Sequence, residues 1–182
     1  MATLGTVQTA ILLFDRFAAL DAVTAHDAFS SLAGMDVTFV ATRPGPWRDE
    51  TGRLELTADA ALREVPLPHV AVVPGGAGIE SLAGDRAARG WLRAAADQGW
   101  IVTVGAGALL AVRTGLLADA RVAAPDALHA ELAAVGALAV RAPVAIDGRI
   151  ASARDALAVP GLAGLLPHSL STIRTTPKGI RP

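Results

Sequence analysis

The chain has 182 residues, 52% of them apolar and 18% charged, and its 16 basic and 17 acidic side chains leave a net charge of −1. That length is one domain with room for a sizeable core, and the apolar content, with a mean hydropathy of +0.45, excludes a disordered chain. Near-neutral charge gives no electrostatic footprint for nucleic acid or for an anionic membrane, so neither is expected as a partner.

Residues 9–14, Thr-Ala-Ile-Leu-Leu-Phe, are a continuous apolar run of the kind buried on both faces of a parallel sheet. The run stops at Asp15 and Arg16, too soon for a signal sequence or a membrane span, and no basic segment precedes it, so a cytoplasmic protein is expected. Asp21 stands before a helical stripe of Ala22, Ala25, Phe29 and Leu32, where an N-cap would stand, and Gly34 reads as the end of that helix. A second strand is read over 36–41, then a loop at Arg43-Pro-Gly-Pro-Trp47, then edge-like pieces around Leu54-Glu-Leu56.

A third buried strand, His69 to Val73, runs into Pro74-Gly-Gly-Ala-Gly78. Asp85 is the natural cap for a helix whose stripe is Ala88, Trp91, Leu92 and Ala95, and Gly99 closes it. A fourth strand, Trp100 to Val104, turns through Gly105-Ala106-Gly107 into a helix over 108–114. A helix over 127–135 and a hairpin around Asp147-Gly148 follow. The alternation predicts an α/β fold, a flavodoxin-like, doubly wound and mostly parallel sheet with helices on both faces. One domain is expected over 1–166, with a Pro-rich arm over 167–182 that shows no apolar period.

Several chemistries are missing. Without Cys there is no thiolate nucleophile, disulfide or iron–sulfur cluster, and without Tyr no phenolic acid. The only lysine is Lys178 in the arm, a poor place for Schiff-base chemistry. Proton transfer is left to Asp, Glu and the four histidines His26, His69, His129 and His168. His69 at a strand start and His168 in the arm read as structural or solvent-facing. The histidines lack metal-ligand spacing, and Gly105 to Leu110 lacks the third glycine of a dinucleotide fingerprint, so no metal and no cofactor are expected.

Leu12-Leu-Phe14 with Leu20-Asp21, Val72 to Gly78, and Val104 to Leu110 with Gly115-Leu-Leu117 together resemble the ThiJ/PfpI superfamily, a branch of the class I glutamine-amidotransferase-like fold. The similarity is greatest to its isocyanide-hydratase subgroup. In that family a cysteine sits on a sharp strand-to-helix turn, with an acidic residue beside it. By this resemblance the acidic residue is Asp21, the glycine loop is Gly75 and Gly76, and the cysteine position is Gly105. The family's usual histidine corresponds to Pro125. Asp126 and His129 lie just beyond it, and Arg154 with Asp155 stand where the family is small and apolar. An elbow forces its central residue toward positive φ, which glycine accepts, so the turn survives the loss of its thiol.

Asp21 is therefore the candidate catalytic residue, as a helix cap, an acid–base group, or both. Candidate substrate contacts are Gly75, Gly76, Gly105, Ala106, Asp126, His129, Arg154 and His26. The Asp126–His129 pair reads either as an oriented histidine or as a cap with a surface residue, and Pro74 to Gly78 either as a tight turn or as an anion pocket. The resemblance implies a small-molecule substrate and a homodimer. The expected activity is cofactor-free acid–base catalysis in specialised metabolism, of which a Pictet–Spengler-type condensation of an arylethylamine with an aldehyde is one form. An isocyanide-hydratase-like reaction in which Asp21 activates water is a second, and a ligand-binding scaffold without catalysis a third.

Overall fold

A computed structural model describes residues 6–170, with side chains as far as Leu166. The elements, in chain order, are β1 (Val7–Leu12), α1 (Ala19–Ser30), β2 (Met35–Ala41), β3 (Gly45–Arg48), β4 (Glu55–Ala58), β5 (Ala60–Ala61) and β6 (Val70–Val73). Then come α2 (Ile79–Gly84), α3 (Arg86–Gln98), β7 (Trp100–Val104), α4 (Gly107–Arg113), β8 (Arg121–Ala123) and α5 (His129–Ala134). The chain closes with β9 (Leu138–Val140), β10 (Val144–Asp147), β11 (Ile150–Ala153) and α6 (Val159–Leu170).

Seven strands make the main sheet in the order β10-β11-β7-β6-β1-β2-β5, parallel throughout except for the β10–β11 hairpin. The apolar runs are continuous because both faces are covered. Along β1, Ala10 and Leu12 enter the core beneath α3 and α4, while Ile11 enters the core beneath α1 and α6. β6 and β7 divide in the same way, Val73 and Ile101 to the first side, Val72 and Val102 to the second. The expected doubly wound α/β architecture is the one observed.

The glycine and cap signals around α3 hold: the Asp85 carboxylate accepts the N–H groups of Ala87 and Ala88, and Ala88, Trp91, Leu92 and Ala95 are buried. Four expectations need correction. The segment read as a loop at 43–47 contains β3, which pairs antiparallel with β4 through residues that carry Pro46 and Trp47 into an edge ribbon. The helix read over 127–135 is a 3-10 turn at Asp126–Leu128 followed by the short α5. Helix α1 ends at Ser30, four residues before the Gly34 that was read as its stop. α6 runs on through position 167, past the expected start of the arm, and residues 171–182, with Lys178, lie outside the described residues, as does the His168 side chain.

Candidate active site

Three connections meet at the carboxyl ends of β1, β6 and β7. The first, Leu13 to Ala18, is tied on one side to the β3–β4 ribbon, where Arg16 N–H donates to Arg48 O at 2.8 Å and Glu50 N–H donates to Phe17 O at 2.9 Å. On the other side it is tied to the glycine loop, where Ala18 N–H donates to Gly75 O at 2.7 Å and Gly78 N–H donates to Arg16 O at 3.2 Å. Glycine permits this approach. A Cβ at Gly76, whose φ is +135°, would strike the Arg16 carbonyl and Ala18 amide, and one at Gly78 the Asp15 carbonyl.

Asp21 lies in the first turn of α1 and does not cap it; the cap residue is Ala18, which offers no side-chain bond. The carboxylate instead crosses to the glycine loop, where Oδ2 accepts the Gly75 N–H at 2.9 Å. Gly75 has no room for a side chain, since its Cβ would stand 2.8 Å from that oxygen and 3.0 Å from the Ala106 nitrogen. The third connection is the elbow. β7 ends at Val104, Gly105 turns with φ +54°, its N–H donates to Ala153 O at 3.0 Å, and α4 starts at Gly107. A Cβ at Gly105 would lie 3.2 Å from Asp21 Oδ2 and 3.9 Å from Arg154 O, with no other heavy atom outside its two chain neighbours within 4 Å. A side chain at this buried residue would therefore start beside the Asp21 carboxyl.

Burial pushes the Asp21 carboxyl above the usual carboxylate range; the Gly75 N–H works against this, and the charges of Glu50 and Asp155 reinforce it. Glu50 was not singled out in the sequence. It arrives on the turn of the β3–β4 ribbon, which buried Asp49 shapes by accepting the N–H groups of Arg53 and Leu54, both at 3.1 Å. An Asp-x-Thr-Gly turn is visible at 49–52, but the sequence offers no sign that it is strapped over Asp21. Asp155 takes the Arg154 guanidinium at 3.1 Å and caps the turn at Ala156–Ala158, so Arg154 is already engaged. Among the described residues no three His, Asp or Glu side chains converge closely enough to share a metal ion.

The remaining candidates have local partners. His26 stacks on Phe39 of β2, ring centroids 5.0 Å apart. His129 Nε2 lies 3.2 Å from Ala124 O, and Asp126 stands between it and Arg141 at 3.6 and 3.8 Å. Among the described residues no hydrogen bond or ion pair joins these side chains to Asp21, Gly75 or Gly105. His69 is structural, its Nδ1 accepting the Gln8 N–H at 2.9 Å.

An acidic side chain on the first helix, a glycine loop and a strand-to-helix elbow on such a sheet define one class of α/β domain. Residues 7–166 match the DJ-1/PfpI family, and the chain belongs to it. It is 31% identical over 145 residues to the isonitrile hydratase of Pseudomonas putida, a match covering 79% of this chain and 63% of that protein, so the chain spans less than two thirds of that relative. A THiJ/PfpI family protein from Pseudomonas syringae superposes with a TM-score of 0.83 at 22% identity, over 93% of this chain and 70% of the other. Drosophila melanogaster DJ-1beta gives 0.82 at 18% identity, over 91% and 90%. At those identities the two structures speak for the fold alone. No described helix is long and apolar enough to cross a membrane.

Proposed function

We propose that this protein is an acid–base hydratase of small carbon–nitrogen multiple bonds, isonitriles first among them, working without a covalent nucleophile. The observation that carries the reading is the absent side chain at Gly105, whose Cβ would lie 3.2 Å from Asp21 Oδ2. In this reading the reacting water takes the space beyond the Gly105 Cα that a side chain would otherwise fill, within reach of that carboxyl. A carboxyl with a raised pKa is better suited than an ordinary one to deliver a proton and recover it.

In this reading the Asp21 carboxyl gives its proton to the terminal carbon of R–N≡C, leaving a nitrilium ion. Water adds through oxygen to that carbon, the Asp21 carboxylate takes one of its protons, and the N-formyl product R–NH–CHO follows by tautomerisation. The N–H groups of Gly76 and Ala106 donate to no protein acceptor among the described residues, and in this reading they hold the added oxygen. Similarity to an isonitrile hydratase favours hydration over the Pictet–Spengler-type condensation, which no particular observation supports.

The test is formamide production from cyclohexyl and p-tolyl isocyanide, followed by proton NMR, with wild type and Asp21→Asn. Turnover that falls about a hundredfold or more in the variant is expected. Turnover that the variant retains removes Asp21 from the chemistry, and none in wild type leaves a ligand-binding scaffold.

A further inference from the structure

A second crevice opens at the same end of the sheet, and neither Asp21, Gly75 nor Gly105 lines it. It is a cavity of about 120 Å³ built from Leu13, Phe14 and Asp15 after β1, Thr42 after β2, and Gly78, Ser81, Leu82 and Asp85 after β6, with Trp47 of β3 beside them. The chain leaves β1 to one side for β2 and returns on the other for β6, so the strand order reverses here. Open α/β sheets hold ligands in crevices of this kind.

The lining combines apolar faces, the hydroxyl-bearing Thr42 and Ser81, and two carboxylates. Leu13, Phe14, Trp47 and Leu82 offer hydrocarbon and ring faces, whereas Asp15 and Asp85 offer carboxylates. Among the described residues neither carboxylate has a basic partner. Asp85 spends one oxygen on α3, Oδ1 accepting Ala87 N–H at 2.7 Å and Ala88 N–H at 3.0 Å, and leaves Oδ2 uncommitted. Arg43 is stacked on Trp47 with its guanidinium carbon 4.6 Å from the ring centroid, and it is paired with neither acid. Trp47 is therefore already a cation-attracting surface.

We propose that this cavity binds a small organic ammonium ion, its carbon body against Phe14, Trp47 and Leu82 and its N–H groups on Asp15 and Asp85. An anion would meet two carboxylates, and a bare metal ion would meet hydrocarbon. A neutral ligand would gain nothing from either charge. The volume of about 120 Å³, against the roughly 150 Å³ of a cavity that accepts benzene, limits the body to a few carbon atoms. The site is separate from Asp21 and stands whether or not the hydration reading does.

The experiment uses n-butylammonium chloride, with 1-butanol and sodium butyrate of the same length as comparators. The readout is the Trp47 indole N–H in a nitrogen-15 correlation spectrum, assigned with Trp47→Phe. Saturable shifts with butylammonium are expected, with butanol at least about tenfold weaker and butyrate silent. Asp15→Asn with Asp85→Asn should cost about tenfold in butylammonium affinity, because Asn still caps α3 while both charges are gone. Butylammonium shifts no larger than those from equal sodium chloride, butanol binding as well as the amine, or unchanged affinity in the folded double variant would each overturn the assignment. The comparison among the three ligands needs only wild-type protein.

Discussion

At the scale of single residues the cap reading of Asp21 fails. Helix α1 starts three residues earlier than that reading requires, with Ala18 rather than Asp21 as its cap, which makes Asp21 a first-turn residue and frees its carboxylate to reach Gly75. The sign of its pH dependence follows. The folded chain holds the Asp21 proton more tightly than the unfolded chain, so this contribution to stability is complete below the ordinary value of 3.8 and is lost as pH rises through the raised one. Asp21→Asn keeps an acceptor for the Gly75 N–H and carries no charge. Melting temperatures measured from about pH 3 to 7 should therefore show wild type losing ground to the variant as pH rises. Asp49 runs the other way. Burial raises its carboxyl, but the Thr51 hydroxyl and the Leu54 and Arg53 amides outweigh this, so its contribution is present above 3.8 and lost as pH falls.

Catalysis adds a second residue-scale prediction. If the protonated carboxyl starts the reaction, kcat/KM for an isonitrile falls with rising pH along a one-proton limb. Glu50 and Asp155 help to hold that limb high, and the groups facing Asp21 are these two and Gly75, with Arg154 bound to Asp155. Glu50→Gln should move the limb to lower pH while leaving the fold intact, because it is the Glu50 backbone, not its side chain, that bonds Phe17. A limb that stays in place in that variant would show that Asp21 does not feel this charge. The elbow at Gly105 was legible for a simple reason: its neighbours in sequence define the turn, and only glycine takes φ +54° without cost. Glu50 was illegible because its role depends on a contact between segments more than thirty residues apart.

At the scale of elements, apolar runs and caps were reliable where one signal decided the outcome. β1, β6 and β7 are each buried on both faces, and Asp85 does what an N-cap does. Signals failed where tertiary pairing overrode them, as at β3, which forms across Pro46 because its partner β4 supplies the register, with Trp47 opposite Leu56. Glycines show the same division. Gly76 and Gly90 look alike in sequence, yet Gly76 has φ +135° against the Arg16 carbonyl, whereas Gly90 lies in the interior of α3 with nothing within 4 Å of a Cβ. Gly90→Ala should therefore stabilise the fold by about 0.5–1 kcal/mol in urea denaturation. Gly76→Ala should destabilise it by about 1–3 kcal/mol and loosen the glycine loop from Arg16–Ala18. The opposite order in either would mean that the loop is not held by the contacts described.

At the scale of the whole molecule, α1 meets the turn before α6 close to Asp21 in the chain. Leu20, Val23 and Leu157 are 63%, 44% and 85% exposed there, Leu20 next to Asp21 in the chain and Leu157 two residues from Asp155. Single exposed leucines need no explanation, but a group of three on adjoining segments beside the candidate site does. Covering them would remove apolar surface from water and would also lower the dielectric around Asp21, which strengthens every charge interaction that raises its pKa. We take the cover to be a second copy of this chain. Light scattering on the eluting protein should then give twice the chain mass, and Leu20→Glu with Leu157→Glu should give a monomer with an unchanged circular dichroism spectrum. In that monomer the Asp21 carboxyl keeps the rise that the folded chain itself provides and loses only what the cover adds, so the falling limb of kcat/KM moves to lower pH. If wild type is monomeric at every concentration nothing covers these side chains, and the double variant would then leave the pH profile where it was.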